Sequence, residues 1–192
     1  MKRNYTLPMG TKTLMTVGQF LQMPDEESRH YELWQGELID VGETIFDHNW
    51  VRDKLLVCIT NFLMSLKLGG DVLVETGIQF DSNTLARPDL SYWDAPHLAS
   101  IDRRRSPVEI VPQLLAEIVS PSNSLPKLFH DAEYFLRAGV LAVWIVDLDP
   151  FEVHIFEKGK VRRIVRPGGM LDAPAVLPGF LENVSRFVPP AS

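Results

Sequence analysis

Between Asp47 and Leu68 apolar residues recur at spacings of three and four: Val51, Leu55, Ile59, Phe62 and Leu66. That spacing predicts the longest helix of the chain, with one apolar stripe turned to a core. Asp47 stands where a cap is needed, and Gly69-Gly70 stop the run. A second helical pattern follows Ser122-Asn123-Ser124, which supply cap residues, with Pro126 suited to a first turn and Gly139 to the left-handed position after the last. Leu128, Ala132, Phe135 and Leu136 form its packed face, whereas Lys127, Asp131 and Tyr134 share another. Thr16 caps a short helix that Pro24 and the charges after it end.

Elsewhere the period is two. His30 to Val41 alternates around Gln35-Gly36 and predicts a β-hairpin. Glu32 reads as a solvent-facing hairpin position; Glu37 reads as either that or a site residue. Asp71 to Phe80 predicts a strand bent at Gly77, and Ser82-Asn83 turn the chain into a strand carrying Asp89. Asp94 to Pro107 reads as a polar loop. Leu114 to Val119 and Val143 to Asp147 are apolar runs of a kind that strands buried on both faces require. Phe151 to Phe156 pairs with the second run through Leu148-Asp149-Pro150, and its alternation leaves one face as a candidate contact surface. Lys160 to Val165 predicts an edge strand. Gly168 to Ser192, rich in Pro and Gly, is expected to wrap the surface, and the residues up to about Gly10 to be loosely ordered. The sum is a mixed α/β domain, helices flanking one central mixed sheet. It is read as a single domain over residues 1–192 with an ordered core of about 13–180.

Composition narrows the picture. Of 192 residues 45% are hydrophobic and 23% charged, which fits a soluble globular chain. No apolar run approaches the roughly 20 residues of a membrane span, and no signal-peptide core follows Met1-Lys2-Arg3. The single cysteine, Cys58, fits a reducing cytoplasm and a core position. A formal charge of −6 argues against broad nonspecific nucleic-acid affinity. Within so acidic a chain, Arg103-Arg104-Arg105 is a compact basic spot that could touch a phosphate backbone, although such runs are usually a solvated loop.

The chemistry concentrates at Glu117, a carboxylate in the middle of the apolar run Leu114 to Val119. A buried carboxylate needs a partner, a hydrogen bond or a cation. Asp89, after Pro88 near the start of its own strand, is the best candidate. Two carboxylates on neighbouring strands make a hard oxygen site for Mg²⁺ or Mn²⁺. The same residues also fit an Asp in a turn and a Glu satisfied by backbone or arginine. His48, in the first turn of the long helix, is either exposed or turned to the site.

Pro88-Asp89-Leu90, Glu117-Ile118-Val119-Ser120-Pro121-Ser122, Arg137-Ala138-Gly139-Val140 and Trp144-Ile145-Val146-Asp147, in that order, resemble the Uma-two family of restriction-endonuclease-like proteins. Tyr31-Glu32-Leu33, Gly36-Glu37-Leu38-Ile39 and the Thr16 to Leu21 opening match its amino-terminal pattern. The resemblance implies the PD-(D/E)-x-K nuclease fold, with a divalent ion held by Asp89 and Glu117, DNA as substrate and a bacterial source. It also leaves a homodimer open, since nucleases of this class that cut both strands often pair. Glu37 and His48 would be further site residues, and Arg103, Arg104 and Arg105 a nucleic-acid contact. The superfamily lysine would fall at Val119, which has no charge. The family places an Asp early in the next helix and a Lys one turn later; here Lys127 and Asp131 stand in the reverse order. Residues i and i+4 share a face, so Lys127 is the candidate water-positioning lysine. The alternative is a catalytically impaired member of the same fold that binds nucleic acid or a protein, with Lys127 and Asp131 a surface ion pair.

Overall fold

The computed structural model describes residues 14–24, 28 and 31–190. The expected loose segment before Gly10 lies outside these residues. The helices are α1 (Val17–Phe20), α2 (Phe46–Leu66), α3 (Ala95–Ala99) and α4 (Leu125–Ala138). The strands are β1 (Tyr31–Trp34), β2 (Glu37–Asp40), β3 (Asp71–Val74), β4 (Ile78–Gln79), β5 (Leu85–Ala86) and β6 (Leu90–Trp93). They continue as β7 (Leu114–Ile118), β8 (Ala142–Leu148), β9 (Phe151–Glu157), β10 (Arg163–Val165), β11 (Met170–Ala173) and β12 (Leu177–Asn183).

A six-stranded mixed sheet runs β10-β9-β8-β7-β6-β3. Among its described strands only β7 and β8 pair in parallel, which requires a crossover, and α4 supplies it. Alternation along the strands sorts the core onto the two faces. Leu114, Ala116 and Ile118 meet Val51, Leu55 and Ile59 of α2. Leu115, Val143 and Ile145 meet Leu128, Ala132 and Phe135 of α4.

The strands are not all in one sheet as expected. The hairpin β1–β2 joins β5 and β4 in a four-stranded sheet ordered β2-β1-β5-β4. The predicted strand from Asp71 to Phe80 is broken: β3 belongs to the large sheet and β4 to the small one. Its neighbour makes the same transfer between β5 and β6, across Arg87-Pro88-Asp89. Glu75, at φ 47°, turns the first strand, and its N–H donates to the Pro88 carbonyl at 3.2 Å. Gly36, at φ +86°, closes the hairpin where a Cβ would sit 2.6 Å from that of Leu14.

Several local expectations need correction. Asp47 does not cap α2: Ile45 is at the cap, with no side-chain hydrogen bond. The helix stops at Lys67 in the left-handed conformation, ahead of the two glycines. Asp94 to Pro107 contains α3, capped by Asp94 onto the His97 N–H. The exposed alternation of Phe151 to Phe156 does not occur, because Val153 through Phe156 are buried between the sheet's covers. The carboxy-terminal segment is core rather than wrapping: β11 and β12 form a ribbon that buries Leu171, Leu177, Phe180, Val184 and Phe187 beside α2. Pro and Gly obscured a hydrophobic period that this ribbon needs. Thr16 does cap α1, in a reciprocal arrangement with Gln19. Ser124 caps α4, and Gly139 ends it at φ 116°.

Candidate active site

The register of β6 against β7 pairs Leu90 with Ala116, so the next positions outward are Asp89 and Glu117. Strand alternation turns both side chains to the α4 face. Both line a cleft of about 510 Å³ between the hairpin β1–β2, the start of α2, the sheet-changing bend and the first half of α4.

Asp89 is held from two sides. His48 Nε2 lies 3.1 Å from its Oδ2, and the Ile118 N–H donates to the same oxygen at 2.7 Å. Among the described residues Oδ1 accepts no hydrogen bond. His48 is buried, not exposed, because α2 enters the core at its first turn. Burial, the negative charges of Asp89 and Glu32 and, more weakly, that of Asp131 push the Glu117 carboxyl well above the usual carboxylate range. The Asp89 N–H works the other way. Among the described residues no arginine bridges Glu117. The nearby Arg87 donates its Nη1 to the Tyr31 carbonyl at 2.7 Å.

Glu32 is a residue the sequence reading turned the wrong way. It faces the cleft and accepts the Arg87 N–H. Burial raises its carboxyl, against the pull of that N–H and of the Lys127 charge. The available signal was parity: Glu32 lies on the same strand face as Trp34, an aromatic that also faces the cleft and meets Phe135 edge-on at 5.5 Å. Glu37 is exposed at the start of β2, opposite Trp34, and does not line the cleft.

Lys127 lines the cleft from α4, with its ammonium 5.4 Å from the Trp34 ring. It donates to Asp131 Oδ2 at 2.7 Å. Asp131 is buried and its Oδ1 has no hydrogen-bond partner. The ion pair and the cleft position therefore coexist. Arg103, Arg104 and Arg105 lie exposed beyond α3, outside the cleft, and Arg105 pairs with Asp102 at 3.3 Å. Gly42 lets the β2 exit close against the loop after β7, since a Cβ there would meet Ser122 Cβ at 2.6 Å.

The donor set fits a divalent cation. Mg²⁺ takes one or two carboxylates and keeps several waters, and a dication would offset the repulsion that raises Glu117. Among the described residues no group of three or more His, Cys, Asp or Glu side chains is placed to hold a metal, so an ion in this cleft would rest on Asp89 and Glu117 with solvent. Among them, too, no helix is long and apolar enough to cross a membrane.

A mixed sheet flanked by helices, with paired carboxylates at the outer ends of two central strands, defines a restriction-endonuclease-like protein. The chain belongs to the Uma2 family, described as "Putative restriction endonuclease", whose pattern matches residues 17–185. A crystal structure of "a putative nuclease belonging to DUF820 from Anabaena variabilis ATCC 29413" has a similar fold. Its TM-score is 0.77 at 19% identity, over 91% of this chain and 97% of that one. No curated protein sequence matches the chain.

Proposed function

We propose that the chain is a divalent-metal-dependent endonuclease that hydrolyses phosphodiester bonds of DNA. The observation that carries this reading is the position of Asp89 opposite Glu117 in one cleft, with Glu117 held above its ordinary range by burial and the Asp89 charge. Asp89 and Glu117 hold Mg²⁺ or Mn²⁺. When bound, the ion supplies acidification of water and neutralisation of phosphate charge. His48 and the Ile118 N–H orient the Asp89 carboxylate. Lys127, fixed by Asp131, offers an N–H to the attacking water or to a phosphate oxygen, the task that Val119 has no group for. Asp131 sets where that ammonium sits.

A second reading, of a non-catalytic binding module with the same fold, draws on the engagement of Lys127 by Asp131. Thermal melts with Mn²⁺ and Mg²⁺ separate the two when read beside cleavage of plasmid DNA. A ligand bound only to the folded state at a hundredfold excess over its Kd stabilises by about 2.7 kcal/mol. The expected result is a Mn²⁺-dependent rise in wild-type Tm that Asp89→Asn abolishes, together with metal-dependent cleavage that it also abolishes. Cleavage unchanged by Asp89→Asn would overturn the assignment; metal and DNA binding without cleavage would favour the binding module.

A further inference from the structure

The largest cluster of cations in the sequence is Lys158, Lys160, Arg162, Arg163 and Arg166, five in nine residues of a chain with formal charge −6. It forms the β9–β10 hairpin at the free edge of the large sheet. Among the described residues three carboxylates pair with it: Glu157 with Lys160 and Arg163, Asp172 with Arg163, and Glu152 with Arg166. A positive excess remains. Lys158 is exposed, and the Arg162 guanidinium sits 4.3 Å above the Phe129 ring of α4.

Register ties this edge to the cleft. Glu117 pairs with Ile145, Ile145 with His154, and His154 with Ile164, so these four form one row across the sheet. Cross-strand neighbours share a face, and that face is the one α4 covers. Three strand spacings separate the ends of the row, about 14 Å, a span along which duplex DNA carries roughly eight phosphate charges at one per ~1.7 Å. The first turns of α4 carry Lys127 into the cleft and Phe129 under Arg162. Lys127 on the cleft side and Arg162 on the edge side thus flank the first turns of α4, while the cleft's own rim carries Asp40, Glu43 and Glu75, the last paired with Arg52.

We infer that the hairpin from Lys158 to Arg166 is the docking surface for the phosphate backbone of DNA whose scissile bond enters the Asp89–Glu117 cleft. It takes the part expected of Arg103, Arg104 and Arg105. The inference rests on the proposed nuclease reading for its choice of DNA.

The test is fluorescence-anisotropy binding of the full chain to a labelled DNA duplex in Ca²⁺, titrated across salt concentrations. The variants are Lys158→Gln/Arg162→Gln/Arg166→Gln and the control Arg103→Gln/Arg104→Gln/Arg105→Gln, each with a thermal melt. Lys158→Gln alone, at an exposed position, serves as a variant that spares the fold. The hairpin triple variant should weaken binding at least tenfold and reduce the log–log salt slope by about 2–3, at roughly 0.9 per phosphate contact. Lys158→Gln should reduce it by about 1, and the control should bind within twofold of wild type. Unchanged binding by the hairpin variants, an equal or larger loss in the control, or no duplex binding by wild type would each overturn the docking surface. Failure of the nuclease reading looks different: duplex binding persists with these dependences but no metal yields cleavage.

Discussion

His48 Nε2 and Asp89 Oδ2 lie 3.1 Å apart, joining the first turn of α2 to the outer end of β6. The imidazole is buried, so its contact is not contested by solvent. Residues that orient a metal-binding group from behind typically matter 10- to 100-fold for affinity or activity. His48→Ala is expected to weaken Mn²⁺ binding by about that factor while the Mg²⁺-free Tm changes far less than in a core truncation. Calorimetric titration of Mn²⁺ against both proteins checks it, and equal Kd values would remove His48 from the site.

Glu117 gives a pH prediction. Its carboxyl is raised by burial first, then by the charges of Asp89 and Glu32. A group whose folded pKa exceeds its unfolded one adds stability below the unfolded value and loses it as pH rises through the folded value. In metal-free protein Glu117→Gln should therefore raise Tm at pH 8 by a few degrees, the scale of ~1 kcal/mol in a chain this size. It should leave Tm nearly unchanged at pH 4. Saturating Mn²⁺ should reverse the sign at pH 8, because only the wild type then gains the ion. Melts at the two pH values in EDTA and in Mn²⁺ make the comparison.

The reversed order of Lys127 and Asp131 predicts a rescue. Lys127→Asp places two carboxylates one turn apart and should abolish cleavage. Adding Asp131→Lys restores one cation and one anion to the same helix face and should recover activity to within about tenfold. Asp131 is buried, and its Oδ1 has no hydrogen bond and only His130 Nδ1 at 3.7 Å, so Lys127→Ala should also cost stability. The pair's partly exposed lysine holds that cost to about 1–2 kcal/mol, below the 3–5 of a fully buried pair. Single-turnover cleavage and urea melts of the four proteins decide both points.

Glu32 tests whether the small sheet holds the site. Its carboxylate takes the Arg87 N–H while Tyr31 takes the Arg87 guanidinium, two residues before Asp89. Glu32→Gln keeps an acceptor and should retain most activity; Glu32→Ala loses it and should lower kcat at least tenfold. Equal activity in the two variants would deny the clamp.

Phe180 measures the carboxy-terminal ribbon. It stacks on Trp144 at 5.8 Å and meets Phe62 edge-on at 5.3 Å. Phe180→Ala should destabilise by about 3–5 kcal/mol, a change that chemical denaturation resolves easily.

The parts of this molecule legible in the sequence were those fixed by local rules. Helix α4 could be read from Ser124 to Gly139, because its caps and its apolar face agree. Strand β7 could be read because Glu117 interrupts an otherwise apolar run. What stayed hidden depends on partners distant in the chain. Glu32 looks exposed until the hairpin is laid against Arg87, and Phe180 looks peripheral until Trp144 and Phe62 are beside it. His48 had no local signal to choose between solvent and Asp89. The break of the strand after Val74 was marked only by Gly77, while the turn itself falls at Glu75, a residue type with no preference for positive φ.

The joint at Glu75 and Pro88 makes two sheets behave as leaves sharing one spine. Asp89 and Glu117 belong to the large leaf, Glu32 to the small one, and the cleft is the gap between them. A wedge driven into that gap presses on Glu32, whose carboxylate holds the Arg87 N–H, and Arg87 adjoins Pro88 and Asp89 in the chain. The separation of Glu32 from the Asp89–Glu117 pair thus works as a gauge of how far the cleft is open.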